Sequence, residues 1–461
     1  MTYRTALTYL DSFINYEKRT AFAYKQSFKL ERIRNFLRLL GNPQAGLKCI
    51  HVAGTKGKGS TCAFTAYILR ASGYRVGLYT SPHLCSVRER IRILAPARAV
   101  SRSGTARDFE GMISASGLAK LVAQLKPGID AYSRSCRYGP LSFFEVYTAL
   151  ALVYFRQRNV DYAVLETGMG GRLDATNAVD AAICCITPIS YDHTNKLGST
   201  LAAIAAEKAG IIKARVPVIC APQPREALAV IRRQCRRQRA ALFEIGKDIL
   251  IVPGAGRGRQ SFGLNGRLGA VPGLAVRISG SHQIVNAAAA VSLVKGLCSL
   301  GLARTSAAAL RRGLAQTRWP GRCETVSRAP LIILDGAHNP ASARMLRQTL
   351  NREFAQKQII LVLGISQDKD IAGICRELVP LSRAVVLTQA DNPRATASEE
   401  IYSRQRALFS RTQATITHGI RRALSLARRQ SRMYRRPLIV VTGSLFVVGE
   451  ARSALLKRKA G

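Results

Sequence analysis

Carboxylates are scarce in this chain, whose 461 residues hold 27 Asp and Glu against 70 Lys and Arg, a formal charge of +43. An excess of that size ordinarily points to a polyanionic partner. Few aromatics are interleaved with the basic runs at 232–239, 421–436 and 457–459, however, and no nucleic-acid-binding module accompanies them. Such runs are ordinarily solvated helix faces, so no nucleic-acid partner is expected. Cys-x-x-Cys pairs are absent among the eleven cysteines, which excludes a zinc ribbon. Their odd number does not fit a disulfide framework either, and a reducing cytoplasm is the expected setting. Long apolar runs are also missing. The longest, 146–155, is too short for a bilayer, and the N-terminal stretch carries Asp11 and Glu17 where a signal peptide would be apolar. A soluble protein with no membrane partner follows, and a hydrophobic content of 47% argues against disorder.

What is present reads as an α/β protein of two or three domains. A helix is expected over 27–40. A short apolar strand at 49–53 runs into a glycine-rich loop, and apolar residues at 63, 64, 67, 68 and 71 give the next segment helical spacing. Further strands are expected at 75–79, 162–165 and 182–186, with helices over 143–156 and 201–211. Residues 246–279 form a β-rich excursion before a helix at 282–300. The pattern pauses at Trp319-Pro320-Gly321-Arg322 and restarts with strands at 331–334, 359–363, 384–387 and 438–441. The fold expected is a P-loop-type doubly wound, mainly parallel sheet domain with a small β-rich excursion, followed by a second Rossmann-like α/β domain. Its divisions fall at 1–317, a linker at 318–324, and 325–461.

The loop Gly54-Thr55-Lys56-Gly57-Lys58-Gly59-Ser60 places small residues where backbone amides must approach phosphate, with lysines beside them and a hydroxyl at a helix start. Gly59 interrupts the common Gly-Lys-Ser/Thr spelling. Magnesium bridging a triphosphate wants oxygen ligands at the carboxyl ends of sheet strands. Glu166 ends a strand there, before Gly168-Met169-Gly170-Gly171. Of six histidines, His51, His83, His193, His282 and His338 lie beside such turns. His83 and His193 are read as facing the metal, against the plainer alternative of structural histidines.

These segments occur in a telling order: Gly54 to Ser60, Ser81-Pro82-His83-Leu84, Glu89-Arg90-Ile91-Arg92, Glu166 to Asn177, Asp192-His193, Glu207-Lys208-Ala209-Gly210 and Asp335-Gly336-Ala337-His338-Asn339-Pro340. From about residue 10 to 450 the chain resembles the folylpolyglutamate synthases and bifunctional dihydrofolate synthases, of the Mur ligase superfamily. The resemblance implies an ATP-dependent ligase that adds L-glutamate to dihydropteroate or to the γ-carboxyl of folates through an acyl phosphate. It implies ATP contacts from Gly57, Lys58, Gly59, Ser60, Asn286, Arg322 and Asp335, and two magnesium ions held by Ser60, Ser81, Glu166, His193 and Lys208. Lys208 would serve as a carbamate; the alternative is a surface lysine paired with Glu207 or another acid. Ser27, Phe28, Lys29 and Leu30, Ser142, Phe143, Phe144 and Glu145, and Leu173, Asp174 and Ala175 would line the pterin or folate pocket, with Phe143 or Phe144 stacking on the ring or packing a helix. Lys58, Lys208 and His338 are the expected catalytic residues, and closure about 319–322 would complete the site around ATP. Lys56, where many bacterial members carry asparagine, and Ser27-Phe28-Lys29 depart from the usual spelling. A monomer is expected. The rival readings are a muramyl-peptide ligase, which shares the general scheme, and a nucleic-acid-stimulated ATPase, motivated by the charge.

Overall fold

The structure is a computed structural model, described here for residues 1–19, 22–96, 109–135, 138–254, 260–410 and 412–457. Most of the basic run 457–459 lies outside these residues. Two compact units result. The first holds Met1–His83, Arg88–Arg277 and Gln283–Thr317, and the second Leu84–Val87, Ile278–His282 and Arg318–Gly461.

Mostly apolar, largely buried runs build the first unit's sheet. Among the described residues it has seven strands: β1 (Cys49–Ala53), β2 (Val76–Tyr79), β3 (Ile91–Leu94), β4 (Tyr162–Glu166), β5 (Ala181–Ile186), β6 (Val218–Cys220) and β7 (Leu242–Glu244), in the order β3-β2-β4-β1-β5-β6-β7. All neighbours are parallel except β2 and β3. A strand covered on both faces needs no polar alternation, and the five residues of β1 and of β4 are all buried. Register aligns Ala53 with Ile186, and Val52 with Glu166. The loops leaving β1, β2, β4 and β5 therefore emerge side by side at one edge, where a sheet of this kind binds ligands. The β-rich excursion is an antiparallel sheet of β8 (Ile249–Pro253), β9 (Gln260–Gly266) and β10 (Val271–Val276).

The helix expected over 27–40 is two helices, Tyr24–Ser27 and Leu30–Leu39, with Phe28 and Lys29 extended between them. The cause is tertiary. Phe28 packs 5.2 Å from the Tyr16 ring and 5.0 Å from Tyr24, and the Ser27 carbonyl accepts from Arg32 at 2.6 Å. Arg32 also meets Glu145 at 2.7 Å with the two side chains only 6% and 7% exposed. Glu145 closes a capping box with Ser142 at the start of helix Phe143–Gln157. Removing one partner of a buried ion pair strands the other, so Glu145→Ala should destabilise the protein by about 3–5 kcal/mol. Denaturant unfolding measures this.

The second unit repeats the architecture. Its six strands among the described residues are β11 (Glu324–Arg328), β12 (Leu331–Leu334), β13 (Gln358–Leu363), β14 (Ser382–Leu387), β15 (Gln413–Ile416) and β16 (Pro437–Thr442), in the order β11-β12-β16-β13-β14-β15. Only the β11–β12 pairing is antiparallel. Among the described residues no helix is long and apolar enough to cross a membrane.

Candidate nucleotide and metal site

Strand β1 delivers the glycine loop to the start of helix Lys58–Ala71. Gly57, the residue before that helix, has φ +84°, and a Cβ there would sit 2.1 Å from Asn286 Oδ1. Glycine is required by both conformation and space. Asn286 is held in turn by donating to Gln283 Oε1 at 3.0 Å, so the loop and this expected ATP residue touch within the first unit. A helix's first turn leaves backbone amides without intrahelical acceptors, which favours an anion there. Ser60 is buried in that turn, and Lys58 Nζ donates to the Gly54 carbonyl at 3.2 Å. Gly57→Ala should weaken ATP-analogue binding about 100-fold, since relieving the clash and the left-handed strain displaces the loop by costs of a few kcal/mol. Calorimetric titration checks this.

Lys208 lies in the last turn of helix Leu201–Ala209 and is 4% exposed, its Nζ donating to the same Gly54 carbonyl at 2.9 Å. Burial, then the nearby Lys58, lower its pKa to about 7, with Lys56 adding to the effect and Asp192 and Asp174 opposing it. The surface ion pair with Glu207 is not formed. Glu207 instead meets Arg172 at 2.7 Å. Gly171 lets the two segments approach, because a Cβ there would lie 2.9 Å from the Glu207 carbonyl oxygen and 3.0 Å from that of Lys208.

Glu166 is buried at the end of β4 and accepts from the Ser81 amide at 3.2 Å. His193 has φ +51°, with its Nε2 3.9 Å from Asp192 Oδ1. Among the described residues no three His, Cys, Asp or Glu side chains cluster as a metal site. A buried carboxylate beside a serine turn nevertheless suits magnesium, which takes few protein ligands and completes its shell with phosphate and water. His83 is better explained otherwise. Its Nδ1 accepts from Arg90 Nε at 3.1 Å, and burial together with Arg90 holds its pKa down to about 3. Arg90 is itself fully buried and grips Glu17 at 2.8 and 2.5 Å. That guanidinium makes the place unfavourable for a cation.

The expected pterin residues divide. Phe143 is 2% exposed, packed 4.6 Å from the Tyr147 ring and under the Arg90 guanidinium at 5.3 Å, which is a core position. Phe144 is half-buried against the glycine loop after β4, where a Cβ on Gly168 would meet its ring at 2.7 Å. Ser142 and Glu145 cap their helix, and Leu30 is buried. Asp174 is fully buried, accepting from the Thr176 hydroxyl at 2.6 Å and the Met169 amide at 2.9 Å, so it shapes the loop. Ala175 is buried beside it, Leu173 is partly buried, Ser27 and Phe28 are partly covered and Lys29 is exposed. Sequence reasoning missed Tyr24, whose hydroxyl would lie 2.4 Å from a Cβ on Gly170. It also missed Lys196, over the Phe22 ring at 3.2 Å. The density of aromatics between 16 and 28 was the available signal.

In the second unit the turn after β12 is built around Asp335. Its Oδ1 accepts from the Ala337 amide and its Oδ2 from the Cys323 amide, both at 2.9 Å. Arg322 donates to the Gly321 carbonyl at 3.1 Å. His338 Nδ1 donates to the Gly336 carbonyl at 2.8 Å, so in the neutral ring Nε2 carries the lone pair. Asn339 then caps helix Pro340–Glu353.

Known proteins resemble this chain in sequence and fold. Residues 141–294 match the Mur ligase middle domain, and residues 323–454 match the C-terminal domain of dihydrofolate synthetase. The dihydrofolate synthase/folylpolyglutamate synthase of Bacillus subtilis is 33% identical over 430 residues, covering 92% of this chain and 94% of that protein. Mycobacterium tuberculosis folylpolyglutamate synthase complexed with ADP and AMPPCP superposes with a TM-score of 0.82 at 33% identity, covering 93% of this chain and 95% of that one. An FPGS–AMPPCP–folate complex gives 0.80 at 30% identity over 99% of this chain and all of the other. The chain belongs to the dihydrofolate synthase/folylpolyglutamate synthase family.

Proposed function

We propose that this protein uses ATP to join L-glutamate to dihydropteroate, or to the γ-carboxyl of a folate or folylpolyglutamate, in folate biosynthesis and retention. The observation that carries the reading is the phosphate loop, in which Gly57 packs on Asn286 while Lys58 and the buried Lys208 converge on one carbonyl, that of Gly54. The match of residues 323–454 to dihydrofolate synthetase favours a folate acceptor over a muramyl peptide.

A carboxylate is a poor electrophile, so the reaction needs a better leaving group than hydroxide, which ATP supplies by phosphorylating it. The amides at 57–60 and the Lys58 ammonium hold the phosphates and offset charge on the moving phosphoryl group. Ser60, Ser81, Glu166 and His193 would hold magnesium, with Lys208 as a carbamate for a second ion. Bound there, magnesium would supply charge neutralisation for the phosphates. A lysine with a pKa of about 7 keeps much of its amine neutral near neutral pH, the form that captures carbon dioxide. The acyl phosphate is then attacked by the neutral amine of glutamate, and phosphate leaves. Arg322 and Asp335 are assigned to ATP from the second unit, and His338 to orienting phosphate or glutamate through Nε2. Phe144 is the better of the two phenylalanines for the pterin ring. In this reading residues 1–317 are the ATP-binding domain, 318–324 the linker and 325–461 the glutamate ligase domain, in a monomer of the cytoplasm.

Labelling both acceptor carboxylate oxygens with oxygen-18 tests the chemistry. One labelled oxygen per turnover should appear in the released phosphate. Unlabelled phosphate accompanying amide product would refute an acyl phosphate.

A further inference from the structure

Lys56 occupies the phosphate loop, yet its side chain turns to a different partner from that of Lys58. Its Nζ lies 3.1 Å from Asp192 Oδ2, with the two side chains 14% and 13% exposed. The other oxygen of that carboxylate accepts from the His193 amide at 3.1 Å. Around this pair the Thr55 and Lys56 amides both donate to the Pro188 carbonyl, at 3.0 and 3.1 Å, and the Thr55 hydroxyl donates to the Ser190 carbonyl at 3.2 Å. The phosphate loop is thereby stapled to the segment that leaves β5 and carries His193. His193 stands in the left-handed region at φ +51°, which a non-glycine residue keeps only where its surroundings insist on it.

We propose that Lys56 is a positioning residue that acts through Asp192 to fix the backbone turn presenting His193 to the metal–nucleotide complex. The inference rests on the functional reading above. A shielded carboxylate needs a cation or several donors to stay in place. Lys56 supplies the cation from the loop that binds the phosphates, so the metal-facing turn and the phosphate-binding turn are set in one register. Asparagine at position 56 is several ångströms too short to reach Asp192.

The test is binding rather than turnover. Manganese is titrated by electron paramagnetic resonance into protein saturated with a non-hydrolysable ATP analogue, for the native chain and for Lys56→Asn, Lys56→Arg and Asp192→Asn. Analogue affinity is measured separately by calorimetry with chelator present. Loss of one shielded, charge-assisted bond should weaken manganese about ten-fold in Lys56→Asn. Metal-free analogue affinity should change less than about two-fold by the same reasoning. Lys56→Arg should restore manganese binding, and adding Asp192→Asn to Lys56→Asn should cost little more, as expected of two residues acting through one contact. Equal loss of metal-free nucleotide binding would make Lys56 a phosphate contact and overturn the proposal, as would unchanged manganese affinity. Should Lys56→Asn fail to fold, Asp192→Asn carries the same comparison. A protein that binds manganese and nucleotide as described but ligates no glutamate would defeat the functional reading and leave the role of Lys56 standing.

Discussion

Lys58→Ala lowers the ligation rate by at least about 1,000-fold and leaves the fold intact, because a preorganised cation beside a transferring phosphoryl group contributes on the order of 4 kcal/mol to the transition state. The side chain is aimed at the loop, with Nζ 3.2 Å from the Gly54 carbonyl, and that single bond is replaceable by water in the variant. Unfolding temperature should therefore move by only a few degrees, while phosphate release in the presence of acceptor and glutamate disappears. Lys58→Arg keeps the charge but presents a planar fork, and partial activity is expected. Full activity in Lys58→Ala would remove the phosphate loop from the mechanism.

On the proposed role, in which a carbamate on Lys208 would offer oxygen ligands near the phosphates, Lys208→Met should lower turnover about 100- to 1,000-fold. It should also change how stability depends on pH. With a folded-state pKa of about 7 against the ordinary lysine value of 10.5, the unfolded chain holds the proton through a range where the folded chain has released it. Stability from this group therefore rises with pH between about 7 and 10.5. Below pH 7 the cost of burying the ammonium is fully present. The methionine variant should lose that component, so the gain in denaturant midpoint from pH 6.5 to pH 9 should shrink relative to the native chain. Carbamate formation consumes the neutral amine and should follow the same direction, increasing as pH rises through 7 at fixed dissolved carbon dioxide. Carbon-13 NMR with labelled bicarbonate should show a carbamate carbon in the native protein and none in Lys208→Met. Absence of that signal in active native protein would leave Lys208 acting as an amine.

The parts legible in the sequence are those fixed by short-range pattern. β1, β4 and β5 are mostly apolar runs because both faces are covered, and the small residues of the glycine loop signalled a close approach, which at Gly57 is to Asn286. Short strands such as β6 and β7, three residues each, carry too little pattern to separate from loop. The break at Phe28 depends on rings from Tyr16, Phe22 and Tyr24, and no local periodicity encodes that cluster. Phe143 and Phe144 are adjacent on a helix and point in different directions, so spacing alone gave no choice between them. Ser142 and Glu145 did carry a readable signal, the Ser-x-x-Glu spacing of a capping box, that competed with their assignment to a ligand pocket. His83 looked equivalent to His193 in sequence because both end strands. What separates them is Arg90, brought to His83 through the antiparallel return from β2 to β3.

The most direct test of the account offers magnesium-ATP, bicarbonate and L-glutamate to the purified chain with dihydropteroate in one reaction and tetrahydrofolate in another, and reads product mass. A gain of one glutamyl residue on either acceptor, matched by ADP, is the predicted result, and growth on both would make the protein bifunctional. Folded protein that binds ATP but adds glutamate to neither acceptor would contradict it.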